Sequence, residues 1–176
     1  MRFPCPLFIL ILGLSLPGWT PNPAVRNQPT EFHVKAAYLY LFGKYITWPA
    51  DPKPDFTIGI YGPDPFGSIM EEVLMGKKVR GKPVAIKRFS TNAQVEGCQI
   101  LYIGAGEVFG PGFLNDLAAR GILTIGESPT FLDQGGAIRY HFKNNRVHFS
   151  INLPVIHRLN LKPSSQLLKI AKEVVR

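Results

Sequence analysis

Cysteine is almost missing from this chain. Only Cys5 and Cys98 occur in 176 residues. Cys5 falls in a leading apolar segment, so the remainder holds Cys98 alone, and an internal disulfide is excluded even in an oxidising compartment. Cys98 precedes the apolar run "QILYI", where a buried thiol is expected and an intermolecular bridge is the alternative. Acid is scarce as well: 12 Asp and Glu stand against 20 Lys and Arg, a net charge of +8. Such a balance suits nucleic acid, an anionic surface or an acidic partner. With no dense Lys/Arg run and no RNA-binding aromatic signature, nucleic acid is not expected. Apolar content of 45% with 18% charged residues argues for a globular chain.

Long hydrophobic runs are lacking too. The run Leu7 to Leu16 follows Arg2, is too short to span a bilayer comfortably and is interrupted by Gly13 and Pro17. It reads as a secretory signal peptide over 1–24, followed by a linker over 25–30 and a domain over 31–176. Arg2 is the only charged residue of the leader, so its removal takes the net charge from +8 to +7. Export to the periplasm is the expectation.

Catalytic motifs are also wanting. "GAGEVFGPG" follows an apolar strand, but Phe109 sits where a dinucleotide loop needs its third glycine. "GPDPFGS" spaces Gly62 and Gly67 like a phosphate loop, but Ser68 stands in place of the lysine and the prolines remove donors. What remains there is a helix start that could attract an anion. No Gly-x-Ser-x-Gly elbow occurs. His33 and His157 read as surface or packing histidines, and adjacent Glu71 and Glu72 point to different sides of a helix. No enzyme activity and no cofactor are expected.

Alternation of strand and helix is plentiful. "EFHVKAAYLYLFGKYITWP" places Phe32, Leu39, Phe42 and Ile46 at helical spacing, with Tyr38 and Tyr45 beside them. The helix is apolar nearly all round, so it is either deeply buried or half of it meets a partner. Tyr38, Phe42 and Tyr45 are therefore a candidate interface. "FTIGIYG", "KPVAIKRF", "CQILYIG" and "ILTIGES" read as strands, separated by helices over Ser68 to Met75 and at "FLNDLAARG". A short helical stretch at "LPVIHRLN" and a final helix capped at Ser164 or Ser165 follow. The pattern predicts an α/β fold: a single-domain three-layer sandwich with a largely parallel central sheet.

"AIRYHFKNNRVHFSIN" predicts an antiparallel hairpin near the C-terminus, turning at Asn144-Asn145. Lys143 then faces Arg146, His141 faces His148 and Arg139 faces Ser150. Ile138, Tyr140, Phe142, Val147, Phe149 and Ile151 share the core face. The other face carries Arg139, His141, Lys143, Arg146 and His148 and no acid. Cations opposite one another are unfavourable, so this face reads as a ligand or partner site, with an arginine fork suited to carboxylate or phosphate. A solvated outer face is the plainer alternative. His141 and His148 lack a third ligand nearby, so no metal is expected.

The ordered set "VKAAYLYLFGKYITWP", "FTIGIYGPDPFG", "CQILYIG", "ILTIGES", "NNRVHFSINL" and "SSQLLKIA" resembles the YfiR-like periplasmic proteins, from about Phe32 onward. The resemblance implies a periplasmic α/β regulator that represses a membrane-anchored diguanylate cyclase by binding its periplasmic sensor domain, lowering cyclic di-GMP. It implies sequestration by an outer-membrane lipoprotein, and a homodimer. It also implies small aromatic or carboxylate-bearing ligands near Arg146 and His148. A small-molecule-binding sensor acting on a histidine kinase or transporter is the alternative. Family members often carry disulfide pairs, which this chain lacks.

Overall fold

A computed structural model describes residues 29–49, 54–91 and 95–176. The leader over 1–24 and all but the last residues of the linker lie outside the described residues. Helix α1 (Glu31–Tyr45) opens at Thr30, whose extended backbone and reciprocal contact with His33 (Nδ1 to Oγ1, 2.7 Å) set its first turn. It ends where Trp48 Nε1 donates to the Gly43 carbonyl at 2.9 Å, and Pro49 bars continuation. Strand β1 (Ile46–Thr47) follows, then β2 (Phe56–Tyr61), α2 (Ile69–Leu74), β3 (Lys78–Val79), β4 (Lys82–Phe89) and β5 (Ile100–Ile103). Next come α3 (Phe113–Ala119), β6 (Leu123–Gly126), β7 (Ile138–Lys143) and β8 (Arg146–Asn152). The last elements are α4 (Leu153–Arg158), β9 (Lys162–Pro163), α5 (Ser165–Ile170) and β10 (Glu173–Val175).

Eight strands form one curled sheet in the order β10-β8-β7-β6-β5-β2-β4-β3. The run β4-β2-β5-β6-β7 is parallel throughout, and β7 with β8 is the antiparallel hairpin. β1 and β9 pair separately, Ile46 against Pro163. β2 and β5 are buried along their whole length, as apolar strands covered on both faces must be. On one face the side chains of Ile58, Tyr102, Ile125, Tyr140 and Phe149 pack with Leu39 and Phe42 of α1, Met70 of α2 and Leu167 of α5. On the other, Leu101 and Ile103 pack with Leu114 and Leu117 of α3 and with Phe131. The three-layer α/β sandwich with its hairpin is the architecture expected from strand–helix alternation.

Four short strands escaped the sequence: β1 and β9, which pair with each other, and β3 and β10 at the two ends of the large sheet. The final helix is capped by Ser164, whose Oγ accepts from Leu167 N at 3.2 Å, but it ends at Ile170. β10 then lies parallel beside β8, with Glu173 opposite Ser150. β3 folds back on β4, pairing Val79 with Lys82, through a turn in which Arg80 and Gly81 both have positive φ.

Candidate functional site: the basic hairpin end

The hairpin adopts the predicted register. Lys143 pairs with Arg146, His141 with His148 and Arg139 with Ser150. Asn144 and Asn145 carry φ values of 52° and 57°, the left-handed pair a two-residue turn needs. Five of the six expected core residues are buried. Phe142 is the correction: it is 50% exposed, next to the turn, where it lines an open cavity with Val34 and Tyr38 of α1 instead of being enclosed by them.

Four of the five residues of the polar face gather at this end, and Arg139 does not. His141, Lys143, Asn144, Arg146, His148, Lys172 and Glu173 line a cavity of about 720 Å³. The strand alone supplies no acid; β10 brings Glu173, whose Oε2 lies 3.4 Å from Ser150 Oγ. Arg139 turns away from the cavity, donating through its guanidinium to the Pro129 carbonyl and, at 3.4 Å, through Nε to His141 Nε2. His141 Nε2 also lies 2.7 Å from Ser150 Oγ. Burial lowers the pKa of His141 below its usual value, and the Arg139 charge pushes in the same direction. An arginine N–H aimed at Nε2 needs that nitrogen unprotonated, so geometry and charge agree on a neutral ring. Lys143 and Arg146 are exposed and His148 half-buried.

The lowered His141 pKa makes a prediction about pH. On acidification the unfolded chain takes up its proton first, near 6.5, and the folded chain only later. Stability is therefore full above that value and falls as pH drops through it toward the lower folded value. Urea midpoints of wild type and His141→Gln, compared from neutral to acid pH, should diverge in that window, with the variant less sensitive. Parallel profiles would mean the folded ring titrates normally.

The crevice where such sheets ordinarily bind ligands is closed. The strand order reverses between β2 and β5, and sites form at the carboxyl ends there. In this chain a Cβ on Gly104 would sit 2.3 Å from the Pro63 carbonyl oxygen, and one on Gly62 would sit 2.4 Å from Glu107 Oε2. The loops after the two strands are in contact, and glycine is required for that approach. The helix start after "GPDPFG" holds no free anion position either. Asp64 Oδ1 already accepts from Phe66 N at 2.8 Å and Gly67 N at 3.3 Å, and Arg88 Nε donates to Asp64 Oδ2 at 2.7 Å.

Residues 32–172 match the family described as YfiR/HmsC-like. The chain belongs to the YfiR/HmsC-like family. The match covers both the first helix and the hairpin. No curated protein matches the chain. Solved structures match in fold. One is described as the ABC domain in complex with L-Trp from Streptococcus pneumonia, at 11% identity and a TM-score of 0.55, covering 80% of this chain. Another is a conserved domain protein from Vibrio cholerae, at 11% identity and a TM-score of 0.51, covering 82% of this chain. This YfiR/HmsC-like chain spans 60% of the length of each. Among the described residues no helix is long and apolar enough to cross a membrane.

The aromatic helix divides in a way its sequence did not reveal. Phe42 is fully buried, stacked on Tyr38 at 6.0 Å and edge-on to Phe149 at 5.1 Å, so it is core and cannot offer a contact surface. Tyr38 and Tyr45 are half-buried. Tyr38 lines an apolar groove of about 480 Å³ with Val34, Ala37, Leu41 and Val73.

One polar cluster went unrecognised in the sequence of this YfiR/HmsC-like chain. Lys35 is 1% exposed, with Nζ paired to Glu31 and, at 2.8 Å, to Glu127 Oε1. Tyr102 donates to the same Glu127 oxygen at 2.5 Å, and burial and the carboxylate together push its pKa up. Tyr140 donates to the Lys35 carbonyl at 2.9 Å. Glu31 is one turn before Lys35, which was the only readable signal. Cys98 is buried, as its sequence position suggested, and burial raises its thiol to about 11.

Proposed function

We propose that this chain is a periplasmic regulatory binding protein that inhibits a membrane-anchored diguanylate cyclase by gripping its periplasmic sensor domain. Bound repressor holds the sensor in an inactive arrangement, lowering cyclic di-GMP output; sequestration by an outer-membrane lipoprotein returns the population to the active state. The chain works as a homodimer in this reading. The observation that carries it is the basic hairpin end. Lys143, Arg146, His148 and Lys172 converge on one cavity with Glu173 as its only acidic lining residue. Cations held together without matching acids favour an acidic surface in their midst.

The test is calorimetric binding of the mature protein to the purified periplasmic domain of its cyclase. Arg146→Ala with His148→Ala should weaken binding at least about tenfold, as loss of one charge-assisted arginine contact does. Thermal unfolding should be nearly unchanged, because Arg146 is exposed and His148 only half-buried. Unaltered affinity would remove the site. A second reading is a small-molecule sensor acting on a histidine kinase or transporter. The cavity volume of about 720 Å³ favours it, since that suits a small carboxylate-bearing ligand. Tight binding of such a ligand, with no affinity for the cyclase domain, would decide for it.

A further inference from the structure

The sheet ends unevenly beside the hairpin. β10 borders β8 from Ser150 to Asn152 only, and Lys172 N–H extends the contact to the Phe149 carbonyl at 2.8 Å. β8 starts earlier, at Arg146. In a hairpin with a two-residue turn the closing pair, here Lys143 and Arg146, exchanges backbone hydrogen bonds, and alternate residues beyond it point theirs outward. Val147 is the first of these. Among the described residues no backbone group meets its outward N–H and C=O. A stretch of open edge thus lies between the end of β10 and the hairpin tip.

Cavities flank that edge on both faces of the sheet. On one side is the basic cavity, with Lys143, Arg146, His148 and Lys172. On the other, a cavity of about 490 Å³ is lined by Val34, Tyr38, Phe142 and Val147 among others. Arg146 and His148 border both. A strand laid along the edge would send alternate side chains into the two cavities.

We propose that the open edge of β8 takes a short extended segment of a partner protein as an added strand, with acidic side chains in the basic cavity and apolar ones against Tyr38, Phe142 and Val147. The proposal rests on the reading of the basic hairpin end as a partner site, and specifies how the partner is held. Backbone hydrogen bonds supply affinity in such strand addition, and the alternating pockets supply selectivity. The half-exposed Phe142 and the uncompensated cations are each accounted for by one half of that alternation. A second copy of this chain fits poorly, because pairing β8 with its own copy would bring the two Arg146 side chains to one short edge, and Arg146 to Ser150 contains no acid to offset them. The residues before Glu31 fit poorly too: they contain no Asp or Glu, and prolines at 17, 21, 23 and 29 remove donors.

The probe is a peptide of about eight residues alternating glutamate and valine, titrated into the isotopically labelled mature protein and followed by amide shifts and hydrogen exchange. The Val147 amide should shift and gain at least about tenfold protection, and N-methylation of alternate peptide amides should weaken binding about tenfold or more. If the N-methylated peptide binds equally well, strand addition is wrong while the basic site stands, and the Arg146→Ala, His148→Ala result with the cyclase domain judges that site separately. An all-valine peptide binding as tightly would overturn the acidic half, and no peptide binding would overturn the whole. Protection of Val147 already present in the free protein would also overturn it. Loss of that protection on dilution would give the edge to a second copy, and its loss on trimming the mature protein to residue 29 would give it to the chain's own leading segment.

Discussion

Lys35→Ala should cost about 3 kcal/mol of folding stability, the lower end of what removing one partner of a buried ion pair costs. The lysine is 1% exposed, and its loss leaves Glu127 facing Tyr102 and Glu31 with no cation between them. The discount comes from the carboxylates, whose side chains keep 25% exposure and some water. Removing Lys35 and Glu127 together should cost less than removing Lys35 alone, because only the partly exposed Glu31 is then left without its cation. Lys35→Met with Glu127→Gln retains the packed stem and leaves Tyr102 an amide oxygen to donate to, so part of the loss should return. Urea unfolding of the single and double variants measures this directly. A single variant within about 0.5 kcal/mol of wild type would show that the pair does not fasten α1 to the sheet.

Phe42→Ala should be at least as severe, about 3–5 kcal/mol, because a fully enclosed ring leaves a cavity behind. Its neighbours Tyr38, Tyr140 and Phe149 are all ring contacts at 5.1–6.0 Å, and none can swing in to fill the space without leaving its own partners. Sedimentation should show the variant's state of association following its folded fraction, with no separate loss. Tyr45→Ala, on the half-buried side of the same helix, should cost far less. A Phe42→Ala protein as stable as wild type but unable to associate would return this residue to an interface.

What could be read in the sequence depended on local signals. The hairpin register was legible because Asn144-Asn145 marks the turn and alternation then dictates every pair. β4 was legible to the residue for a similar reason, being bounded by Gly81 and Ser90. The two faces of α1 were not legible, because an all-round apolar helix carries no stripe to say which side meets the sheet. Phe142 was placed on the correct face, yet alternation says nothing about how closely the covering helix encloses it. β10 has only three residues after a helix, too short for any period to show. The Lys35–Glu127 pair is separated by 92 positions, and nothing local links them. The candidate site was thus visible as a list of cations; the cavity they line, the acid within it and the open edge beside it arise from tertiary packing.

The long reach of α1 also bears on how the chain comes together. Its Lys35 carbonyl waits for a hydroxyl 105 positions later, and the strand that follows it waits for Pro163. Contacts so distant in sequence make for slow folding, because the intervening loop must close before they reward it. A chain emerging amino end first therefore presents a largely apolar helix long before the hairpin that shelters it exists. That interval is when aggregation threatens most, and when a holding chaperone would have its natural target in residues 31–45.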